Sequence, residues 1–179
     1  MKKYFSLMIL GMLASFLMWS CSTRDNDDRM DNDTYSVVYD VKGNFKLTGK
    51  LFVLGGTFTR GIASSDVVLI YKLVEVSNGK NIWEPLPVIY HANEYKEIPA
   101  GKQLKYTYEF SSAGFDIIAG GDFDLKGQST AFNDGYLNGQ TFRVVIVPAS
   151  AGRRAVVDYS NYEEVIKYFN IDDSKTVSL

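Results

Sequence analysis

Apolar and polar residues alternate along most of the chain after residue 34. Residues 35–41 (YSVVYDV) and 46–54 (KLTGKLFVL) alternate with a period of two, which is typical of half-buried strands. Residues 66–76 (DVVLIYKLVEV) are β-branched and apolar at their centre, and residues 104–110 (LKYTYEF) carry Leu, Tyr, Tyr and Phe on one face. Residues 141–147 (TFRVVIV) are a run of strand-forming side chains. The pattern predicts a strand in each segment.

Shorter apolar runs and turn motifs complete the pattern. Residues 88–91, 115–118 and 155–157 are weaker strand candidates, and the C-terminal KTVSL predicts a final strand. Asn78-Gly79 lies between two strand-like segments and predicts a tight hairpin. Short strands with few helical segments indicate an antiparallel sandwich or barrel. Because 12 Tyr, 11 Phe and 2 Trp can fill the space between two sheets, we expect a mainly β fold, an antiparallel β-sandwich.

One helix stands out near the C-terminus, at about residues 160–170. Ser160 is the predicted N-cap, and Glu163 three residues later completes a capping box. The helical spacing of four apolar residues predicts one face docked on the sheet: Tyr162, Val165, Ile166 and Phe169. Residues 120–140, by contrast, are polar and rich in glycine and predict a long loop.

The first 20 residues have the layout of a secretory signal peptide. Lys2 and Lys3 precede 16 uncharged residues, 4–19, which would be about 24 Å long as a helix. A spanning helix needs about 20 apolar residues, so the segment is short for a permanent span. A basic start and small residues near the end favour processing. The alternative is a short anchor that stays in place.

The single cysteine of the chain, Cys21, follows this apolar segment after one small residue, Ser20. An unpaired cysteine in an exported chain requires an explanation, because oxidising compartments favour paired cysteines. The stretch LMWSC resembles a bacterial lipoprotein signal, with Leu17 and Ser20 in the expected places and Met18 and Trp19 departing from the common pattern. The resemblance implies that Cys21 carries the lipid. The alternative is ordinary cleavage nearby with an incidental thiol.

Residues 21–34 are polar and acidic, and we expect a flexible tether. Without Lys2 and Lys3 the chain has 17 basic and 21 acidic side chains, a net charge of −4, and five of the acids lie in residues 25–33. Nothing in this balance suggests a nucleic-acid partner. Asp25, Asp27 and Asp28 resemble an export signal of Bacteroidota lipoproteins and imply exposure at the cell surface. A plain solvated linker is the alternative. Residues 35–179 then form one domain.

The domain itself also carries a resemblance. The motifs DVVLIYKL, IWEPLP, LKYTYEF, FRVVIVPA and VVDYSNYEEVIKYFNI occur in that order. Together they resemble a family of small Bacteroidota lipoproteins, from about Val37 to the C-terminus. The resemblance implies a lipid-anchored protein of the outer membrane and transfers no catalytic residue.

The chain offers few residues for catalysis. His91 is the only histidine, no Gly-x-Ser-x-Gly elbow is present, and no glycine-rich phosphate loop opens a helix. We therefore expect no catalytic residues and no cofactor. Several carboxylates could in principle support glycoside hydrolysis, which needs a pair at a defined separation: Glu94, Glu97, Glu109, Asp116 and Asp122.

A loop of aspartates is the one candidate metal site. Asp122 and Asp124 with Gly127 suggest a calcium loop, but an EF-hand register would place Lys126 at the fifth position and Asn133 at the twelfth, where a glutamate is needed. A looser site at Asp122, Asp124 and Asp134 stays open beside the alternative of a solvated acidic loop.

Two aromatic residues are the candidate ligand-binding residues, Trp83 and Tyr90. Trp83 begins the stretch WEPLP, whose prolines limit ladder bonding and predict an edge strand or a crossing between sheets. Its indole could face a sugar ring or a peptide. The favoured interpretation is that Trp83 seals the end of the sandwich core, with its N–H bonded to a carbonyl.

These observations lead to one functional expectation and two alternatives. We expect a lipid-anchored envelope protein whose sandwich is a non-enzymatic binding or structural module, with a glycan, a peptide or an envelope protein as partner. The first alternative is a carboxylate-based hydrolase that acts on polysaccharide. The second is a purely structural component of the cell surface.

Overall fold

Ten strands form two five-stranded sheets in residues 36–148 and 157–178, which are the residues that the computed structural model describes. The first sheet, sheet A, contains β1 (Val37–Gly43), β4 (Val67–Ser77), β5 (Lys80–Pro85), β9 (Gln140–Val147) and β10 (Val177–Ser178). The second, sheet B, contains β2 (Lys46–Thr48), β3 (Leu51–Thr57), β6 (Val88–His91), β7 (Gln103–Phe110) and β8 (Gly114–Gly121). The two sheets confirm the predicted β-sandwich.

Neighbouring strands are antiparallel throughout, with one exception. The order in sheet A is β10-β1-β9-β4-β5, and that in sheet B is β2-β3-β8-β7-β6. β10 pairs with β1 in parallel, so the final strand predicted from KTVSL lies at an edge. The chain changes sheet four times, after β1, β3, β5 and β8. β5 and β6 therefore close the same side of the sandwich at the edges of the two sheets.

The main core lies between the sheets and follows the period-two pattern. Sheet A contributes residues such as Ile70 and Phe142, and sheet B contributes Leu104, Tyr106 and Ile117, each at most 1 % exposed. Aromatic rings fill much of this space, as the composition predicted: Phe45, for example, contacts Phe142 edge-on, with ring centroids 5.9 Å apart. Such edge-to-face pairs are favourable beyond the area they bury.

A second, smaller core covers the outer face of sheet A. β9 is buried on both faces from Phe142 to Val147 because Val145 and Val147 pack away from the main core. Their cover is helix α2 (Tyr162–Tyr168), which contributes Val165, and the segment that follows it. This double burial explains why the sequence of β9 is a continuous apolar run rather than an alternating one.

The docked face of α2 was predicted correctly, but its cap was not. Tyr162, Ile166 and Phe169 pack on the second core together with Val165. The N-cap is Asn161, whose side-chain oxygen accepts hydrogen bonds from the N–H groups of Glu163 and Glu164. The hydroxyl of Ser160 instead donates to Asp158 Oδ1 at 2.6 Å. The capping box fails because asparagine, an equally good cap, stands one residue later.

The prediction of a loop throughout residues 120–140 was wrong. Helix α1 (Thr130–Tyr136) lies there, with Ser129 Oγ accepting from the N–H of Phe132 at 3.1 Å. Phe132 and Tyr136, four residues apart, are buried in the main core. The glycines and asparagines around them masked this single helical pair.

The predicted hairpin and most strands are present. Asn78 and Gly79 have φ angles of 51° and 77°, as a two-residue turn between β4 and β5 requires. Val157, the described residue of the weak candidate at 155–157, is not in a strand. Residues 155 and 156, Tyr35, the signal segment 1–20 and the tether 21–34 lie outside the described residues. Neither described helix is long and apolar enough to cross a membrane.

We predict that the helix missed by the sequence pattern is essential to the core. Phe132→Ala should lower the free energy of unfolding by about 3–5 kcal/mol because it empties a fully buried ring site. Phe110→Ala, at a ring 46 % exposed, is the matched control and should cost about 0.5 kcal/mol or less. Urea unfolding followed by circular dichroism measures both. Equal losses would contradict the assignment of Phe132 to the core.

Candidate functional site

A groove of about 1000 Å³ lies between β5 and α2 on the outer side of sheet A. Residues 80–83 of β5 form one wall, and the α2 side chains Tyr162, Ile166 and Lys167 form the other. Arg143 of β9 lines its base. We call this the β5–α2 groove.

The base of the groove is built on a cross-strand row. The register places Asp40 of β1 opposite Arg143 of β9, and Arg143 opposite Tyr71 of β4. Arg143 Nε donates to Asp40 Oδ1 at 2.7 Å and Nη2 donates to Asp40 Oδ2 at 2.8 Å. This two-pronged geometry suits the planar guanidinium and is stronger than a single contact. Tyr71 completes the row by donating its hydroxyl to the carbonyl of Tyr159 at 2.9 Å.

The helix and the segment after it close over the same guanidinium. Arg143 Nη1 donates to the hydroxyl of Tyr162 at 2.6 Å, and to Asp173 Oδ2 at 3.3 Å. The Tyr162 hydroxyl in turn donates to Asp173 Oδ2 at 2.7 Å. The ring of Trp83 lies 4.5 Å from the Arg143 guanidinium carbon, within the range of a cation–π contact. Arg143 therefore joins β1, β5, β9, α2 and the C-terminal segment.

The charges at the base of the groove are strongly coupled. Burial alone would lower the pKa of Arg143, but hydrogen bonds with Asp40 and Tyr162 and the negative charge of Asp40 outweigh burial and raise that pKa. Burial and the bond to Asp173 raise the pKa of the Tyr162 hydroxyl, although Arg143 opposes the shift. Arg143 stays charged and Tyr162 stays neutral at any physiological pH. The base offers a fixed surface rather than a group that exchanges protons.

Trp83 lies in this groove, half-buried, and not at the end of the main core. It packs with Tyr162 at a centroid distance of 5.9 Å and belongs to the second core. The interpretation that it seals the end of the main core is therefore wrong, since it closes the small core under α2 instead. The prediction that WEPLP lies at an edge is confirmed, because β5 is the last strand of sheet A.

Tyr90, the second candidate aromatic, is in the main core and outside the groove. Its side chain is 5 % exposed, and its hydroxyl donates to Glu84 Oε2 at 2.7 Å. Burial, with this hydrogen bond and the charge of Glu84, raises the pKa of Tyr90. The structure does not bring Trp83 and Tyr90 to one surface. A tyrosine so enclosed is a structural residue of the core.

A buried lysine accompanies Tyr90. Lys72 points into the sandwich, 8 % exposed, and its Nζ lies 5.7 Å from the ring centroids of both Tyr90 and Tyr106. Burial lowers the pKa of Lys72, and the charge of Glu84 opposes that shift. Side chains alternate between the two faces of a strand, so Lys72 lies on the same face of β4 as Val68 and Ile70. That face points into the sandwich.

The three aspartates proposed for a metal do not form a site. In the part of the chain that the structure describes, no three His, Cys, Asp or Glu side chains are close enough to hold a metal ion. Asp122 Oδ1 accepts from the N–H of Gln103, and Asp124 Oδ1 accepts from the N–H of Lys126. Asp134 Oδ1 accepts from Asn138 Nδ2. Asp122 thus connects the end of β8 to the start of β7, whereas Asp124 and Asp134 stabilise their own turn and helix end, a usual role of aspartate in loops.

Two of the carboxylates considered for hydrolysis are cross-strand neighbours. Glu109 of β7 pairs with Asp116 of β8, and both line a groove of about 440 Å³ near the β7–β8 turn. Both side chains are exposed. His91 is also exposed, at the end of β6. A catalytic acid normally needs an environment that withholds solvent, which this pair lacks.

The members of the Arg143 network are far apart in the chain, so no local sequence pattern predicts the network. Asp40, Arg143, Tyr162 and Asp173 belong to two strands, a helix and a turn. One observation could have indicated it: Arg143 interrupts the apolar run FRVVIV of a strand otherwise buried on both faces. A buried arginine must be paired, so this position required acidic partners.

No protein-family model matches the chain, and comparisons with curated proteins and solved structures found no match. The function of the groove therefore has to be inferred from its own residues.

We predict that the fork geometry of Arg143 contributes to stability. Arg143→Lys keeps the charge but cannot hold Asp40, Tyr162 and Asp173 together, and should lower the free energy of unfolding by about 2–3 kcal/mol. Arg60→Lys, at an exposed arginine, is the matched control and should leave the urea midpoint unchanged. Equal midpoints for the two variants would show that the network contributes nothing.

We also predict a loss of stability at alkaline pH. Burial, with the charge of Glu97 and a hydrogen bond to it, raises the pKa of Tyr136 to about 12. An unfolded tyrosine has a pKa of about 10, so the folded state favours the protonated hydroxyl. The stabilisation of the folded state by this difference in the pKa of Tyr136 is complete below pH 10. It is lost as the pH rises from about 10 to about 12.

Urea unfolding at a series of pH values above 9 measures this effect. Tyr136→Phe should lose less stability over that window than the native chain, since one titrating group is gone. Tyr159→Phe, at a ring 47 % exposed, is the control and should retain the native pH dependence. The same slope for all three proteins would refute the prediction.

Proposed function

We propose that the protein is an envelope lipoprotein, anchored by lipid on Cys21, whose β-sandwich is a non-enzymatic binding module that acts through the β5–α2 groove. Binding sites in proteins are usually concave, largely formed in advance and lined by apolar residues with a few placed polar groups. The groove has this composition, with Ile82, Trp83 and Ile166 beside Arg143 and Asp173.

One observation carries the proposal for the domain: the polar groups at the base of the groove satisfy one another. Arg143 is held by Asp40, Tyr162 and Asp173, and its side chain is only 7 % exposed. An enzyme site would keep a nucleophile or a proton-transfer group available to substrate. A rigid, self-satisfied base supports recognition of a ligand, with little reorganisation on binding.

The proposal for the anchor is supported by the sequence around Cys21. A short apolar segment, a small residue and then the single cysteine form the expected order. Each buried CH₂ of an acyl chain contributes about 0.8 kcal/mol, and one chain alone holds a protein only weakly. Several chains on one cysteine would retain the domain on the outer membrane. The acidic residues Asp25, Asp27 and Asp28 support exposure at the cell surface rather than on the periplasmic face.

The hydrolase alternative has less support. Glu109 and Asp116 are adjacent, but both are exposed, and a raised carboxyl pKa usually requires burial against apolar side chains. As ligands of the groove we propose glycans, peptides or a segment of an envelope protein. The acidic chain supports no role in nucleic-acid binding.

We predict that a fatty-acid probe labels the protein only through Cys21. Cells that express the full chain and are fed an alkyne fatty acid should yield a labelled band, and Cys21→Ser should abolish the label. Ser22→Ala, which keeps the cysteine, is the matched control and should be labelled like the native chain. Label that persists in Cys21→Ser would exclude the anchor.

Proteinase treatment of intact cells then tests the location. A lipoprotein at the cell surface is degraded without lysis, whereas one on the periplasmic face survives until the outer membrane is opened. Replacing Asp25, Asp27 and Asp28 together by Asn should shift the labelled protein towards the protected fraction. An unchanged fraction would contradict their role in surface export.

A further inference from the structure

β5 has a free edge that faces the β5–α2 groove. It is the last strand of sheet A and pairs only with β4 among the described strands. Residues 80–83 of β5 also line the groove. A strand edge presents main-chain N–H and C=O groups that a further strand can pair with. The identity of those groups follows from the register.

The pairing with β4 shows which residues of β5 point outward. Ser77 and Lys80 close a two-residue hairpin, so Lys80 bonds inward to β4. At the other end the N–H of Leu86 donates to the carbonyl of Ile70 at 2.8 Å, again inward. The bulge lies on β4, between Leu73 and Glu75, and leaves the alternation along β5 intact. Even-numbered residues of β5 therefore pair with β4, and the main-chain groups of odd-numbered residues face away.

The outward groups belong to Asn81, Trp83 and Pro85. Asn81 and Trp83 each present an N–H and a C=O on the side away from β4, whereas Pro85 has only a C=O there. Because Pro85 faces away from β4, its missing N–H removes no hydrogen bond from sheet A. No main-chain donor is present on the free edge at this residue. The free edge offers two complete residues, a short template inside a walled groove.

The other free edges are less suited to a ligand strand. β10 and β2 are two and three residues long in the described structure. β6 has four residues and none of them lines the larger grooves. Among the described edge strands β5 is the longest, with six residues, and it lies opposite a wall that α2 supplies through Tyr162, Ile166 and Lys167.

The charges of the groove favour a ligand of low net charge. Three basic side chains line it, and three acidic ones balance them: Lys80, Arg143 and Lys167 against Asp158, Glu163 and Asp173. A fixed anion or cation would meet groups of both signs. A peptide main chain has strong dipoles and no net charge, so it complements both the groove and the N–H and C=O groups of the edge.

We propose that the β5–α2 groove binds an extended peptide segment of a partner protein, which adds to sheet A beside β5 as a further strand. The main-chain groups of Asn81 and Trp83 bind the peptide backbone, and the peptide side chains on the outer face of sheet A contact the Trp83 ring and Ile166. This inference rests on the proposed binding function and names its ligand. It is independent of the lipid on Cys21.

The test uses one proline at an outward position. Asn81→Pro removes a donor that does not pair with β4, and it repeats the placement of Pro85. Asn81→Ala changes the same side chain and keeps the N–H, so it is the matched comparison. The purified full chain in detergent is applied to an array of short capped peptides with alternating apolar residues. Peptides that bind should bind Asn81→Pro about tenfold more weakly than Asn81→Ala.

A modification of the peptides provides the second measurement and does not depend on the folding of a variant. Each bound peptide is compared with two N-methylated twins, methylated at alternate residues in one register or the other. Pairing along one edge requires that one twin loses binding to the native chain and the other keeps it. Urea midpoints of Asn81→Pro and Asn81→Ala show whether both variants are folded.

Three outcomes would overturn the inference. The first is an array without bound peptides, and the second is binding that neither Asn81→Pro nor N-methylation weakens. The third is dimerisation of the chain that Asn81→Pro abolishes, which would assign the edge to a second copy. A glycan array that gives bound ligands while the peptide array does not would retain the proposed binding function and refute the peptide as its ligand.

Discussion

Arg143 donates hydrogen bonds to Asp40 on the neighbouring strand while its guanidinium lies between Trp83, Tyr162 and Asp173. No other described contact joins so many separate parts of the chain. The desolvation free energy of a buried guanidinium is large. The hydrogen bonds of the arginine offset it only when the guanidinium and its acidic and hydroxyl partners are held in place. The attachment of α2 and of the segment after it therefore depends on sheet A. The groove depends on the same contacts, because the Arg143–Asp40 pair forms its base.

The second core has the same dependence on sheet A. Val145 and Val147 face outward from a central strand, and without α2 they would be exposed to solvent. Val165 covers them, and the hydroxyl of Tyr71 holds the carbonyl of Tyr159 just before the helix. α2 has only seven residues, too few for stability on its own. The stability of α2 comes from its packing on sheet A. The rigidity of the groove wall opposite β5 therefore depends on how firmly α2 is packed there.

The sequence pattern predicted the sandwich because period-two alternation is a local property. β4, β7 and β8 follow it, and the Asn78-Gly79 turn is encoded by residues that accept positive φ angles. α1 was missed because it rests on one helical pair, Phe132 and Tyr136, in a polar segment. The cap of α2 was misplaced because Ser160 and Asn161 are both good caps, and only the backbone decides between them. The groove required knowledge of strand order, which no local pattern contains.

The register of β1 has a mechanical consequence. Seven residues of β1, from Val37 to Gly43, pair with β9 in unbroken antiparallel register, and β10 runs along the other edge of β1 in the same direction as β1. A pulling force transmitted through the chain ahead of residue 36 acts on the first residue of β1. A force along the strand axis loads all the hydrogen bonds between β1 and β9 in shear. It does not open them one after another. The β1–β9 ladder thus resists tension applied at the N-terminal end of β1, and β5 lies three strands away in sheet A.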